Sequence, residues 1–153
     1  MADIKEFLSF MVAGEEYGVP ILDVREVRGW TDVRDIPNAP EFVRGVLNIR
    51  GEYVPIVDLR ARLGFDPANL SPTTVVVVLS DSARNPLGII VDAVAEVYQL
   101  TPEELKPPPS TLEHKVKYVQ SLASIEGREL IVMMMSALFD FEALNNTQLQ
   151  ATN

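Results

Sequence analysis

The segment Gly45-Val46-Leu47-Asn48-Ile49-Arg50-Gly51-Glu52-Tyr53-Val54-Pro55-Ile56-Val57-Asp58-Leu59-Arg60 restricts the fold more than any other. It predicts two apolar strands folded back on each other at Arg50-Gly51-Glu52, with Gly51 free to take a positive φ in the turn. Val46, Asn48 and Arg50 alternate with Leu47 and Ile49, the period of a strand with two unlike faces. Pro55 has no N–H to donate, so its strand belongs at an edge or a bulge. Asp58 is placed to cap a short helix, Leu59 to Leu63, with Gly64 just past its end. Two charges stand out in this apolar setting. Asp58 reads most simply as the helix cap. Arg50 reads most simply as a solvated turn residue with its stem on apolar surface, though it is hard to explain as ordinary core.

The same pattern of short strands continues in both directions. Phe7 to Val12 and Glu16 to Pro20 predict a hairpin about Ala13-Gly14-Glu15. Ile21 to Val27 predicts a short helical turn running into a strand at Glu26-Val27-Arg28. Ile36 to Phe42 carries two prolines and crosses as a loop or a single helical turn. Asp66 to Pro72 is the one credible internal linker. Beyond it, Thr73 to Leu79 reads as a strand buried on both faces. Leu87 to Asp92 and Val94 to Tyr98 are further strands after a turn at Asp81 to Pro86. Thr101-Pro102-Glu103-Glu104 is a capping box with proline at the first helical position, and Pro107-Pro108-Pro109 stops that helix. Lys117 to Ile125 and Leu130 to Met135 predict a last hairpin about Glu126-Gly127-Arg128-Glu129. Ser136 is expected to cap a helix whose Leu138, Phe141 and Leu144 share a face, followed by a polar, disordered tail at 145–153. Short strands punctuated by glycine and proline point to closed or nearly closed barrels, in two runs divided at Asp66 to Pro72. No residue-level repeat between those halves stands out.

Little in the chain looks like chemistry. His114 is the single histidine and there is no cysteine, so neither zinc clusters nor disulfides are expected. No glycine-rich phosphate loop or nucleophile elbow occurs. The carboxylate pairs Glu15-Glu16 and Glu103-Glu104 fall in a turn and a helix start, where a solvated face accounts for them. The net charge of −9 repels nucleic acid and anionic membrane surfaces. The first residues have no leader pattern and no apolar run is long enough to cross a bilayer, so a cytosolic protein without direct membrane insertion is expected. Met133-Met134-Met135 fills a core or offers an adaptable surface to a partner helix. The residues alone describe an interaction module with no cofactor.

A resemblance sharpens this. Phe7-Leu8-Ser9-Phe10, Glu15-Glu16-Tyr17-Gly18-Val19, Val24-Arg25-Glu26-Val27-Arg28-Gly29, the stretch Gly45 to Gly51 and Val54-Pro55-Ile56-Val57-Asp58-Leu59-Arg60 resemble, in order, the CheW family of bacterial chemotaxis coupling proteins. Leu87 to Val97 continues the likeness, which runs from about Glu6 to Leu144. It implies an all-β fold of two five-stranded SH3-like barrels packed on a shared hydrophobic seam, with short connecting helices. The first barrel is expected at about 6–66, the second at about 72–135, and a C-terminal helix at 136–144. It also implies a non-enzymatic adaptor that couples the cytoplasmic tips of methyl-accepting chemoreceptors to the histidine kinase CheA. The kinase is met through its own CheW-like regulatory domain, in membrane-associated or cytoplasmic receptor arrays, with CheW–CheW ring contacts besides. The receptor tip is expected in a groove between the barrels. Val24, Glu26, Gly45 and Arg50 match positions tied to receptor coupling, and a Glu26–Arg50 charge pair would account for the odd arginine. Val54, Pro55 and Asp58 are expected at the kinase contact. Met134 departs from the family, which often has Asn or Asp there. A second reading is an equivalent adaptor for pilus motility or another chemosensory pathway. A third, a small enzyme using carboxylates, requires two acids facing each other in a pocket.

Overall fold

The computed structural model describes residues 3–109 and 117–140. His114, Phe141, Leu144 and the tail at 145–153 lie outside the described residues. In chain order the strands are β1 (Lys5–Val12), β2 (Glu15–Pro20), β3 (Val24–Gly29), β4 (Val43–Ile49), β5 (Glu52–Asp58), β6 (Val75–Ser80), β7 (Pro86–Val91), β8 (Ala93–Leu100), β9 (Val119–Ile125) and β10 (Arg128–Met133). Single-turn helices follow β5 and β10, α1 at Leu59–Arg62 and α2 at Met135–Leu138. The strands form two five-stranded sheets, ordered β8-β1-β2-β10-β9 and β3-β6-β7-β5-β4. All pairings are antiparallel except β2 with β10 and β5 with β7.

Each sheet rolls up because the chain leaving one edge returns to the other. After β3, Arg34 exchanges backbone hydrogen bonds with Val46 of β4, at 2.9 and 2.8 Å. After β8, Lys106 does the same with Leu122 of β9, at 2.8 and 2.7 Å. Such closure removes most of the free edge that a flat sheet leaves open.

The barrels are not the two halves of the chain. One, the central barrel, is the continuous run β3 to β7, and the expected linker at Asp66 to Pro72 lies inside it. The other, the terminal barrel, joins β1 and β2 to β8, β9 and β10. The strand register explains the exchange and exposes a repeat. Gly18 lies opposite Ser9 and Val132, and Gly88 lies opposite Val78 and Ile56. From these glycines Val19-Pro20-Ile21-Leu22-Asp23-Val24-Arg25-Glu26-Val27 runs in step with Ile89-Ile90-Val91-Asp92-Ala93-Val94-Ala95-Glu96-Val97. The β4–β5 and β9–β10 turns also match, with φ of 52° and 86° at Arg50 and Gly51 and of 49° and 80° at Glu126 and Gly127. The chain is therefore two similar units, each giving its first hairpin to a barrel completed by the other's last three strands.

Burial follows from this interlock. In β6, Val76 and Val78 point into the central barrel with Ile49, Val54, Ile56 and Ile90. Val77 and Leu79 point the other way, into a seam shared with Leu8, Phe10, Val12, Tyr17 and Val19 of the terminal barrel. Phe7, Leu100, Ala123, Leu130 and Val132 fill the terminal barrel. The continuous valine run is thus buried on both faces, as its composition predicts. Met133 is wholly buried at the seam, the core-filling reading of the methionine triplet. The last strand ends at Met133, and Met134 rather than Ser136 occupies the N-cap position of α2.

Val77→Asp places an unpaired carboxylate in that seam and is expected to cost more than about 4 kcal/mol. Urea denaturation checks this, and a parent-like midpoint contradicts the burial.

Candidate partner-binding surface

Strand β3 is an edge of the central barrel, and its pairing with β6 shifts register between Val24 and Glu26. Such a bulge re-aims the side chains around it. Val24, Glu26 and Arg28 are half-buried, whereas Arg25, Val27 and Gly29 face out. Arg50 reaches Glu26 from the β4–β5 turn with a forked contact, Nη1 donating to Oε1 at 3.1 Å and Nη2 to Oε2 at 3.5 Å. The Asn48 side chain pins that turn by accepting from the Gly51 N–H at 2.9 Å. The Arg50 side chain is 81% exposed and that of Glu26 24%. A pair so open to water contributes ~0.5 kcal/mol or less to stability. Its effect is geometric, holding a charge of each sign at the rim beside Val27, which is 45% exposed. Next to it Arg25 pairs with Glu52 and donates to Ser80 Oγ at 3.2 Å and the Arg84 carbonyl at 2.8 Å.

Gly45 is buried and acts on the surface only indirectly. Its φ is +148°, and a Cβ there would lie 2.2 Å from the Arg34 carbonyl oxygen. Only glycine lets the returning chain close the barrel at this point.

The three residues expected at the kinase contact divide. Val54 is 1% exposed and Asp58 0%, so neither side chain faces outward: the barrel interior and the helix cap enclose them. Pro55 is half-buried, and on the same strand Tyr53 is 62% exposed. Asp58 caps α1 as expected, accepting from the Ala61 N–H at 3.4 Å. It also accepts from the Ala68 N–H at 2.8 Å and Arg44 Nη2 at 3.2 Å. One carboxylate thus ties the loop at Asp66 to Pro72 onto the barrel.

The residue reading missed a second charged cluster. Glu16 is buried, not solvated, and accepts from the Tyr98 hydroxyl at 2.8 Å. Arg128 donates to that same hydroxyl at 2.9 Å and to Glu96 at 3.4 Å. Burial, then the bond to Glu16, pushes the Tyr98 phenol well above its usual range, so it remains a neutral donor. Ser9 Oγ accepts the Glu96 N–H at 3.0 Å and fixes its position on β8. Glu96 and Val97 of β8 correspond to Glu26 and Val27 of β3, and Val97 is 48% exposed. The signal in the sequence was Val-x-Glu-Val, present at Val24 to Val27 and again at Val94 to Val97.

Among the described residues no group of three or more His, Cys, Asp or Glu is arranged to hold a metal ion. A cleft of about 280 Å³ is lined by Arg60, Asn69, Ser71, Thr74 and Asp92. Its acid and its arginine are bonded to each other at 2.7 Å. No helix of the described residues is long and apolar enough to cross a membrane.

Interlocked small barrels, each with an edge strand that carries an exposed valine and an arginine-held glutamate, define a scaffold-type β fold. The chain belongs to the CheW-like domain family, whose model matches residues 6–144. It is 38% identical over 141 residues to the chemotaxis protein CheW of Klebsiella aerogenes, covering 92% of this chain and 84% of that one. It is 36% identical over 138 residues to a probable chemotaxis protein CheW of Rhizobium etli, covering 88% and 87%. The crystal structure of the scaffolding protein TtCheW from Thermoanaerobacter tengcongensis superposes with a TM-score of 0.81 at 31% identity, over 92% of this chain and 94% of that one.

Gly45→Ala should cost roughly 1–3 kcal/mol, because both its φ and the Arg34 carbonyl oppose a Cβ. Gly29→Ala, with nothing within 4 Å of a Cβ, should melt within about 0.5 kcal/mol of the parent. Differential scanning calorimetry of the pair checks the contrast.

Proposed function

We propose that this chain is a non-enzymatic chemotaxis adaptor that couples methyl-accepting chemoreceptor tips to the histidine kinase CheA. The observation that carries this is the Glu26–Arg50 pair beside exposed Val27, on a strand edge at the mouth of the central barrel. An apolar side chain flanked by fixed charges of both signs suits a helical hairpin with a mixed surface, and orients it. Val24 anchors the strand by packing against the seam, and Gly45 keeps the closing segment in place. The corresponding edge at Val94, Glu96 and Val97 gives the terminal barrel a similar rim. For the kinase's CheW-like domain, Tyr53 and Pro55 are the outward residues of β5 that replace Val54 and Asp58. Contacts of this size are individually weak, so recruitment to a receptor array and ring contacts between copies of the family would supply the tightness.

One relative carries a name other than CheW. The chain is 29% identical over 131 residues to Protein FrzA of Myxococcus xanthus, covering 83% of this chain and 81% of that one. An equivalent adaptor for a different receptor and kinase pair, as in pilus motility, has the same geometry. Pulldown of the organism's chemosensory kinases and receptor fragments distinguishes the two.

Arg50→Ala and Glu26→Ala should each weaken receptor–kinase assembly about tenfold, while melting within about 0.5 kcal/mol of the parent. The exchanged pair, Glu26→Arg with Arg50→Glu, restores the ion pair with its signs reversed and should not recover the loss, because the partner is oriented by which charge lies where. Parent-like assembly and kinase activation by both single variants would remove these residues from the coupling surface.

A further inference from the structure

The two single-turn helices occupy corresponding places and are fastened differently. Asp58 and Met134 are their N-caps, with φ, ψ of −78°, 103° and −82°, 102°. The backbone N–H groups of these caps donate to Phe42 O and Tyr118 O, both at 2.6 Å. Helix α1 carries its own fastenings at both ends. The Asp58 carboxylate accepts the Ala61 N–H, and Gly64, at φ +92°, lets the Gly64 and Phe65 N–H groups return to the carbonyls of Ala61 and Arg60. Helix α2 lacks the side-chain fastening at its N-terminus. Met134 makes no side-chain cap, and Phe139-Asp140 follows where α1 has Leu63-Gly64. A carbonyl can accept twice, and those at the C-terminal end of α2 have room for a further donor beside the Asp140 N–H that reaches Ala137 at 3.4 Å.

Arg62, the last residue of α1, meets them. Its Nη1 donates to the Leu138 carbonyl, and Nη2 to those of Ala137 at 3.0 Å and Asp140 at 3.4 Å. Its Nε donates to the Tyr118 hydroxyl at 3.3 Å. The guanidinium carbon lies 5.2 Å from the Phe42 ring centre and 5.5 Å from that of Tyr118. Those rings precede β4 and β9, so one side chain contacts matching points of both barrels and the end of the final helix. The planar fork and its aromatic faces are properties of arginine that lysine does not share.

We propose that Arg62 is a clasp: by holding the carbonyls of Ala137, Leu138 and Asp140 it gives α2 the side-chain fastening that Met134 does not supply, and sets whether α2 stays seated on the barrel pair. The seated state buries Leu138 completely, so opening the clasp bares an apolar side chain at the seam. The device is independent of the receptor surface, being built from α1, α2 and the two aromatic rings.

Amide exchange followed by NMR on the full chain tests it. Arg62→Ala should speed exchange of the Leu138 and Phe139 N–H groups at least about tenfold, with Val77 and Ile89 unchanged, as expected of a local opening. Arg62→Lys should fall between the two. Adding Met134→Asp to Arg62→Ala should slow Leu138 and Phe139 again, because the carboxylate can accept the Ala137 N–H as Asp58 accepts that of Ala61. Unchanged exchange in Arg62→Ala overturns the clasp. So does equal acceleration throughout the chain, or a double variant no slower than Arg62→Ala.

Discussion

The apolar seam between the barrels is the interaction on which everything else rests. Leu8, Phe10, Val12, Tyr17 and Val19 on one side meet Val57, Val77, Leu79, Leu87, Ile89 and Val91 on the other. These side chains belong to strands whose opposite faces already fill a barrel. Such strands cannot turn toward solvent without exposing one apolar face or the other. Burial of each large aliphatic side chain is worth ~2 kcal/mol, so separation of the barrels would expose a surface that neither closes alone. The exchange of hairpins makes the dependence mutual.

Which residues are left outward follows from that economy of surface. β1, β2, β6 and β7, the strands at the seam, are mostly buried, and the outward residues collect on β3 and β8, at the sheet edges. Edge strands ordinarily need protection against indiscriminate pairing. Here each carries a glutamate held by an arginine from the facing hairpin, Glu26 by Arg50 and Glu96 by Arg128. The ion pairs contribute little stability because water reaches them. They place fixed charges next to Val27 and Val97.

Local physics made the elements legible in the sequence and left the assembly obscure. The Arg50-Gly51 turn, the Asp58 cap, Gly64 and the doubly buried valines each follow from a few neighbouring residues. The interleaving does not, since it depends on which hairpin pairs with which strand trio, and the chain order suggested barrels split near Asp66 to Pro72. The repeat became visible only once Gly18 and Gly88 were placed in register. Period two could have separated Glu15 from Glu16, one outward and one inward on β2. For Val54 and Asp58 no sequence period distinguishes a barrel interior from a contact surface. Arg62 looked like an ordinary helix residue because its partners lie far along the chain.

The two units share a backbone and differ in chemistry at corresponding points. Asp58 answers to Met134, Arg50 to Glu126, and Leu22, 95% exposed, to Asp92, which pairs with Arg60. In a symmetric pair of barrels both faces would bind the same partner equally well. Two unlike faces on one body discriminate between partners instead. Repetition of the apolar register keeps the body intact, because the seam requires matching shapes from both units. The rims are free of that requirement and can diverge one residue at a time. The Glu26–Arg50 corner of the central barrel and the Glu16–Tyr98–Arg128–Glu96 cluster of the terminal barrel are the outcome.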